Sequence, residues 1–141
     1  MAMTIHVDIV SAEAEIFSGQ ANMVFAPAEM GEVGIAPRHT PMLTRLKAGE
    51  VRLQMEGKEE QFFYVSGGML EVQPHVVTVL ADTAMRAKDI DEAAVIKAKE
   101  AAEKAMVDRK SDFDYAKAKV EFAEAAAQLR TIQKIRDKTK L

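Results

Sequence analysis

The distribution of glycine and proline constrains the possible folds of this chain more than any other feature. All seven glycines lie at or before Gly68, and all four prolines lie at or before Pro74. From residue 75 to residue 141 the chain contains neither. Because these residues punctuate turns and interrupt helices, the boundary predicts turn-rich β-structure followed by uninterrupted helix. We therefore expect two domains, over residues 1–86 and 87–141.

Short stretches of alternating apolar and polar residues fill the first part. Ile5, Val7 and Ile9 alternate with polar neighbours, which is the period of a half-buried strand. Similar strands are predicted in segments 51–56, 61–66 and 76–80, with weaker candidates at 23–26 and 42–46. Many short strands separated by glycine and proline turns favour an all-β sandwich of about eight to ten strands.

One predicted hairpin connects two of these strands. Gly57 and Lys58 form a plausible tight turn between segments 51–56 and 61–66. In the second strand of this hairpin, Phe62 and Tyr64 share one face.

The first helix is predicted to begin near Asp89, a good N-cap, with Glu92 three residues later as in a capping box. Apolar residues then recur at steps of three and four, which predicts one buried stripe. The members of this stripe are Ile90, Ala94, Ala98, Ala101 and Ala105.

A second helix follows a short polar segment, with Ser111 or Asp112 as its cap and Asp114 in its first turn. Its predicted buried stripe is Tyr115, Ala118, Phe122, Ala125, Leu129 and Ile132. The short connection predicts an antiparallel two-helix hairpin after the sandwich. Alanine favours helix but buries little area, so we expect a hairpin that can detach and rearrange.

Composition excludes several classes of protein. Without cysteine there is no disulfide framework, no zinc ribbon and no thiol nucleophile. No stretch approaches the roughly 20 apolar residues that span a bilayer, and the N-terminus has no secretory signal pattern. A net charge of -3 argues against a nucleic-acid partner. A cytosolic protein is the simplest interpretation.

No constellation of residues indicates catalysis or a cofactor. The three histidines, His6, His39 and His75, are far apart in sequence and lack metal-ligand spacing. The segments 31–34 and 67–68 do not have the spacing of phosphate-binding loops, so their glycines are expected to form turns or bulges. Acidic clusters at 59–60 and 89–92 are explained by solvation and helix capping.

Two segments suggest contact surfaces. The last residues are basic, with Arg130 and Lys134 among them; this pattern is typical of a solvated helix end but also suits docking against an acidic partner. Segment 29–41 holds two glycines and two prolines, and is predicted to be a rigid, exposed loop of the kind that forms contacts.

At this point four segments, in order and at matching spacing, become recognisable. They begin at Val7 (VDIVSAE), Gly31 (GEVGIAP, then HTP), Tyr64 (YVSGGMLEVQP) and Val77 (VTVLADTA), and Asp89 (DIDEA) looks like the start of a helical hairpin. Along essentially its whole length the chain resembles the epsilon subunits of bacterial F-type ATP synthases.

The resemblance implies a ten-stranded sandwich followed by a two-helix domain, and a non-catalytic subunit of the central stalk, on the cytoplasmic face of the bacterial inner membrane. The implied partners are the gamma subunit, the c-subunit ring and the alpha and beta catalytic subunits, and the membrane is contacted only through the complex. Glu32 and His39 would meet the c ring. Arg130 and Lys134 would face the catalytic head, where the hairpin would inhibit ATP hydrolysis.

The sequence departs from the family pattern at two sites. Arg38 stands where the family usually has glycine. Because a residue other than glycine avoids positive φ, we expect this loop to be stiffer. Some relatives bind ATP through an I/L-D-x-x-R-A motif. Ile90 and Asp91 match it, but Ala94 and Val95 replace the Arg-Ala pair, which removes a guanidinium donor. We therefore expect no bound cofactor and no ATP sensing.

A small enzyme and a free-standing binding module are the two alternative classes of function. A small enzyme lacks a nucleophile–base pair or a metal constellation. A free-standing binding module with a sandwich and a hairpin fits the same physical features, since the rotor role is implied only by the resemblance. Co-purification with a gamma subunit would distinguish a rotor subunit from a free-standing binding module.

Overall fold

A computed structural model describes residues 3–108 and 112–139 of the chain. The chain divides into two compact units, residues 1–86 and 87–141. The first unit contains ten described strands: β1 (Ile5–Ser11), β2 (Glu15–Ala21), β3 (Met23–Ala28), β4 (Gly31–Ile35), β5 (Met42–Leu46), β6 (Gly49–Gln54), β7 (Gln61–Val65), β8 (Gly68–Val72), β9 (Val76–Ala81) and β10 (Ala84–Arg86). The second contains a 3-10 turn (Ala87–Asp89) and the helices α1 (Glu92–Val107) and α2 (Asp112–Thr139).

The strands form one continuous hydrogen-bonded path that folds over itself as a sandwich. Its order is β10-β7-β6-β3-β5-β8-β9-β1-β2, with β4 attached to β3. Neighbours pair antiparallel except β1 and β9, which are parallel. The all-β sandwich followed by two helices, predicted from the sequence, is confirmed.

Alternating apolar side chains from both halves of this path fill the core. Ile5, Val7 and Ile9 are fully buried while the residues between them are partly exposed. One cluster joins side chains from β1 through β9, including Leu53 and Leu70. The period of two in the sequence therefore identified the inward face of β1 correctly.

The predicted hairpin between β6 and β7 is also present. Gly57 has a φ of +75°, and the Lys58 N–H donates to Met55 O at 3.2 Å. Phe62 and Tyr64 share one face of β7, as expected, but the central core takes Phe63 and Val65 from the other face. Both faces of β7 are buried, so this strand is not the half-exposed type that alternation describes.

The connection between β7 and β8 depends on two consecutive glycines. Gly67 and Gly68 have φ values of +132° and +137°. A Cβ on Gly68 would collide with the Leu80 carbonyl oxygen on the neighbouring strand. Only glycine combines this conformation with so close a backbone approach, which explains the turn or bulge predicted for this pair.

The predicted start of α1 was wrong by two residues. Asp91, not Asp89, is the N-cap, and its Oδ1 accepts from the Ala94 N–H at 3.3 Å. The predicted stripe was wrong as well: Ala94, Ala98, Ala101 and Ala105 are exposed, while Val95 and Ala102 are buried. Alanine fits either side of a helix, so its spacing alone does not identify the buried face.

For α2 the predicted stripe is confirmed. Ala118 and Ala125 are buried, and Tyr115, Phe122, Leu129 and Ile132 are partly buried. Here larger apolar side chains carry the pattern, and the Lys99 ammonium of α1 lies 5.5 Å from the Phe122 ring centre. The predicted caps Ser111 and Asp112 lie outside the described residues and side chains.

A polar cluster covers the outward face of β1 and β2, the last pair of strands in the path. The Ser18 hydroxyl donates to Asp8 Oδ1 at 2.7 Å, and His6 Nε2 lies 2.9 Å from the same oxygen. Gln20 Nε2 is 3.2 Å from His6 Nδ1. Hydrogen bonding by Ser18, and then by His6, lowers the pKa of Asp8 despite the opposing effect of burial. The cluster thereby helps to fix β2 to the sheet, since among the described strands β2 pairs only with β1.

Replacing a core leucine should destabilise the sandwich strongly. Leu70→Ala removes a fully buried side chain and leaves a cavity, which is expected to lower the free energy of unfolding by about 2–5 kcal/mol. The matched control is Leu43→Ala on β5, where the side chain is 66% exposed and the expected change is within about 0.5 kcal/mol. Urea unfolding followed by circular dichroism measures both. Equal losses would contradict the assigned core.

Removing the charge of Asp8 should make stability less dependent on pH. A carboxyl with a depressed folded-state pKa stabilises the fold above its unfolded pKa, about 3.9, and this contribution is lost as pH falls through the folded pKa. Asp8→Asn should therefore be less stable than the parent at pH 7, with the difference shrinking as the pH falls below about 4. The control is Glu15→Gln, at an exposed carboxylate on β2. A difference that stays constant from pH 7 to pH 2 would refute the argument.

Candidate partner interface

The structure changes the predicted location of Glu32. Segment 29–41 was expected to be one exposed loop, but residues 31–35 form strand β4, which pairs with β3. Only residues 36–41 connect β4 to β5 without strand structure. Glu32 is therefore held on a strand, opposite Pro27, whereas His39 lies in the loop that follows.

Glu32 belongs to a charged network on the outward face of β6. Arg52 donates through NH2 to Glu32 Oε1 at 2.9 Å and through NH1 to Glu60 Oε1 at 3.1 Å. Its guanidinium carbon lies 4.4 Å from the centre of the Phe25 ring. The Glu32 side chain remains 47% exposed, so a partner can still reach its carboxylate while Arg52 fixes the side chain in place.

Arg52 was missed as a functional residue in the sequence. A signal was available, since Arg52 occupies an outward position of β6 and Glu60 lies just before β7 across the predicted turn. Opposite charges at such positions attract. The link from Arg52 to Glu32 could not be found this way, because it requires the pairing of β3 with both β4 and β6.

The loop that contains His39 is constrained along most of its length. Pro37 and Pro41 have fixed φ angles, and Ala36 and Thr40 precede prolines, which biases them to extended conformations. His39 Nδ1 lies 2.7 Å from Thr40 O. The imidazole is thus held against its own loop, with Nε2 directed away from that contact.

Arg38 has a left-handed backbone, with a φ of +63°. The expectation that this residue would avoid positive φ was wrong. Its N–H donates to Pro74 O at 2.9 Å in the β8–β9 turn. A residue with a Cβ costs roughly 1–2 kcal/mol in this conformation, and the neighbouring prolines and this hydrogen bond hold it there.

Arg130 and Lys134 lie four residues apart on α2, so they share one side of the helix. Both side chains are exposed. Alanines are prominent among the buried residues of this unit, with Ala102, Ala118, Ala125 and Ala127 all under 5% exposed. The helices are therefore in contact through small side chains, and Arg130 and Lys134 lie at exposed positions of α2.

Other candidate sites gain little from the structure. Asp91, which matched the ATP motif, is occupied in capping α1. Among the described residues, no group of three or more His, Cys, Asp or Glu side chains is arranged to hold a metal ion. Within the same part of the chain, no helix is long and apolar enough to cross a membrane.

Comparison with protein families gives two matches in succession. Residues 4–87 match the ATP synthase delta/epsilon chain β-sandwich domain, and residues 88–133 match the ATP synthase delta/epsilon chain long α-helix domain. Together these matches cover both described units.

Individual relatives match almost the full length. The chain is 72% identical over 138 residues to the ATP synthase epsilon chain of Nitrosococcus oceani, covering 98% of this chain and 99% of the relative. It is 65% identical over 136 residues to ATP synthase epsilon chain 1 of Methylococcus capsulatus, covering 96% and 97%.

Solved structures share the fold at much lower identity. A chain in the Euglena gracilis mitochondrial ATP synthase, in a cryo-EM structure of OSCP, F1 and c-ring, superposes with a TM-score of 0.81 at 18% identity, covering 90% of this chain and 80% of that chain. A chain in the central stalk and c-ring of the Tetrahymena thermophila mitochondrial ATP synthase gives a TM-score of 0.60 at 10% identity, covering 92% and 97%. These structures show that the fold is shared. The two family matches and the relatives at 65–72% identity show that the chain belongs to the ATP synthase epsilon-chain family.

Proposed function

We propose that this chain is a non-catalytic subunit of the central stalk of a bacterial, proton-translocating F-type ATP synthase. In this role it links the gamma subunit to the c ring and inhibits ATP hydrolysis through its C-terminal hairpin. The observation that carries the proposal is the match to epsilon chains over 98% of the sequence, across both the sandwich and the hairpin. The chain would have no active site of its own.

The sandwich is suited to a fixed contact with the rotor. Its core cluster is built from strands alone, so the shape of the β4–β5 region does not depend on the helices. Arg52 binds Glu32, and His39 contacts Thr40 O, so both side chains are held in position. We propose that these two side chains contact the c ring. Positioned side chains lose less entropy when a partner binds.

The hairpin is suited to rearrangement. An alanine buries less apolar area than a leucine, so a contact built on alanines is held more weakly. A weakly held element can have two arrangements that differ by a few kcal/mol, which is what a switch requires. We propose residues 1–86 as the rotor-binding part and residues 87–141 as the regulatory part.

Arg130 and Lys134 are proposed to contact acidic segments of the alpha and beta subunits. Their charges are exposed and share one side of α2. Opposite charges on a partner would steer the helix over a Debye length of about 8–10 Å and set its orientation. The gamma subunit and the c ring would hold the protein at the cytoplasmic face of the plasma membrane without direct insertion.

The first experiment titrates an epsilon-depleted catalytic head with the full chain and with a version ending at Lys88. The shorter version keeps every residue of the central core. We expect the full chain to inhibit ATP hydrolysis and the shorter version to have no effect, because the inhibitory contacts lie in the hairpin. Inhibition by both versions would place the brake in the sandwich, and inhibition by neither would refute the inhibitory role.

A second comparison in the same assay tests the two cations. The double variant Arg130→Gln, Lys134→Gln should need about tenfold more protein for half-inhibition, as expected when charged contacts are lost. The matched control is Lys117→Gln, Lys119→Gln, which removes the same charge from exposed positions nearer the start of α2. Equal weakening by both variants would indicate a nonspecific charge effect.

A further inference from the structure

Among the described residues, the guanidinium of Arg38 has no hydrogen-bond or ion-pair partner. Of the four arginines of the sandwich, Arg52 binds two glutamates, and Arg86 donates to Ile16 O at 3.0 Å and lies over two aromatic rings. Arg38 and Arg45 are both exposed, and within the described residues neither guanidinium makes a hydrogen bond or ion pair. Of the two, only Arg38 has a left-handed backbone, which is the feature that singles it out. The described contacts therefore give the Arg38 side chain no role in stabilising the fold.

The backbone of Arg38 nevertheless has a conformation that glycine would adopt without strain. Its φ is +63°, and its N–H is tied to Pro74 O across the loop end. Strain of this kind persists where the surroundings determine the conformation, and it concentrates at binding sites. The constrained loop fixes the backbone from which the side chain extends, which reduces the backbone entropy lost on binding.

The local charge identifies the chemistry of a partner. Segments 33–49 and 72–81, which supply this loop and the adjoining turn, contain no Asp or Glu. The nearest carboxylate along the adjoining strand β8 is that of Glu71, which pairs with Leu43 of β5. An exposed guanidinium on a loop without acidic residues of its own is suited to a carboxylate, with which it forms two parallel hydrogen bonds.

We propose that Arg38 is a specificity-determining residue of the rotor contact and pairs with a carboxylate on the c-subunit loop that faces His39. This inference rests on the proposed contact between loop 36–41 and the c ring. A glycine at this position would adopt the same backbone conformation without strain but could not make this charge-dependent contact.

The test uses the assembled ATP synthase with Arg38→Lys and a carbodiimide, which joins a lysine amine to a carboxylate only when the two are in contact. We expect an amide link between position 38 and an acidic residue of the c subunit, identified by mass spectrometry. Lys47, an exposed lysine just after the other end of β5, is the internal control and should not link to the c subunit. Absence of the link in a complex that contains the variant, or a link only to another subunit or to a lipid, would overturn the inference.

A second measurement follows release of the subunit from the purified complex as salt is raised. Arg38→Asn keeps a residue that tolerates the left-handed region but removes the charge, so affinity at low salt should fall about tenfold. Its thermal midpoint should be unchanged or higher, which excludes a purely structural effect. Lys47→Gln, with the same change in charge, should behave as the parent; equal affinity of parent and Arg38→Asn would refute the pairing.

The two proposals fail in different ways. A photo-crosslinking residue at position 39 that labels the c subunit, without any link from Arg38→Lys, would leave the rotor contact standing and remove only the role of Arg38. A parent chain that is absent from the purified complex would overturn both.

Discussion

Burial of one apolar face from each strand is the interaction on which the rest of the sandwich depends. Side chains such as Val7, Leu53 and Leu70 come from distant parts of the chain and meet in a single cluster. Burying each of them contributes about 1.5–3 kcal/mol. This core fixes the strand register, and the register places Arg52 beside Glu32 and holds loop 36–41 against the β8–β9 turn. The positions of the exposed candidate contact residues therefore depend on the packing of the buried core.

The hairpin follows a different rule. Its buried positions are mostly small, and its exposed surface carries many charges. High helix propensity makes the helices locally stable, while the small side chains make any tertiary contact weak. The core of the sandwich is thus built from large apolar side chains, and that of the hairpin mostly from small ones. This difference is the physical basis of the proposal that the sandwich binds the rotor and the hairpin regulates.

Two arginines show how the same side chain is used differently. Both terminal nitrogens of Arg52 bind carboxylates and its guanidinium lies over one aromatic ring, so Arg52 holds Glu32 in place. Arg38 has a strained backbone, and its guanidinium has no partner among the described residues. The contrast separates charge that stabilises the fold from charge that is available for recognition.

The sequence by itself determined the β class of the first part, the two helices that follow it and the family. Glycine, proline and the period of two are local signals, and they identified the inward face of β1, the β6–β7 turn and the buried side of α2. Four strands, β2, β4, β8 and β10, were not predicted from alternation, because their residues are mixed or short and only pairing with neighbours makes them strands. The buried face of α1 was missed because alanine fits both faces. The left-handed backbone of Arg38 and the link from Arg52 to Glu32 were decided only by tertiary structure, since both depend on contacts between segments that are distant in the sequence.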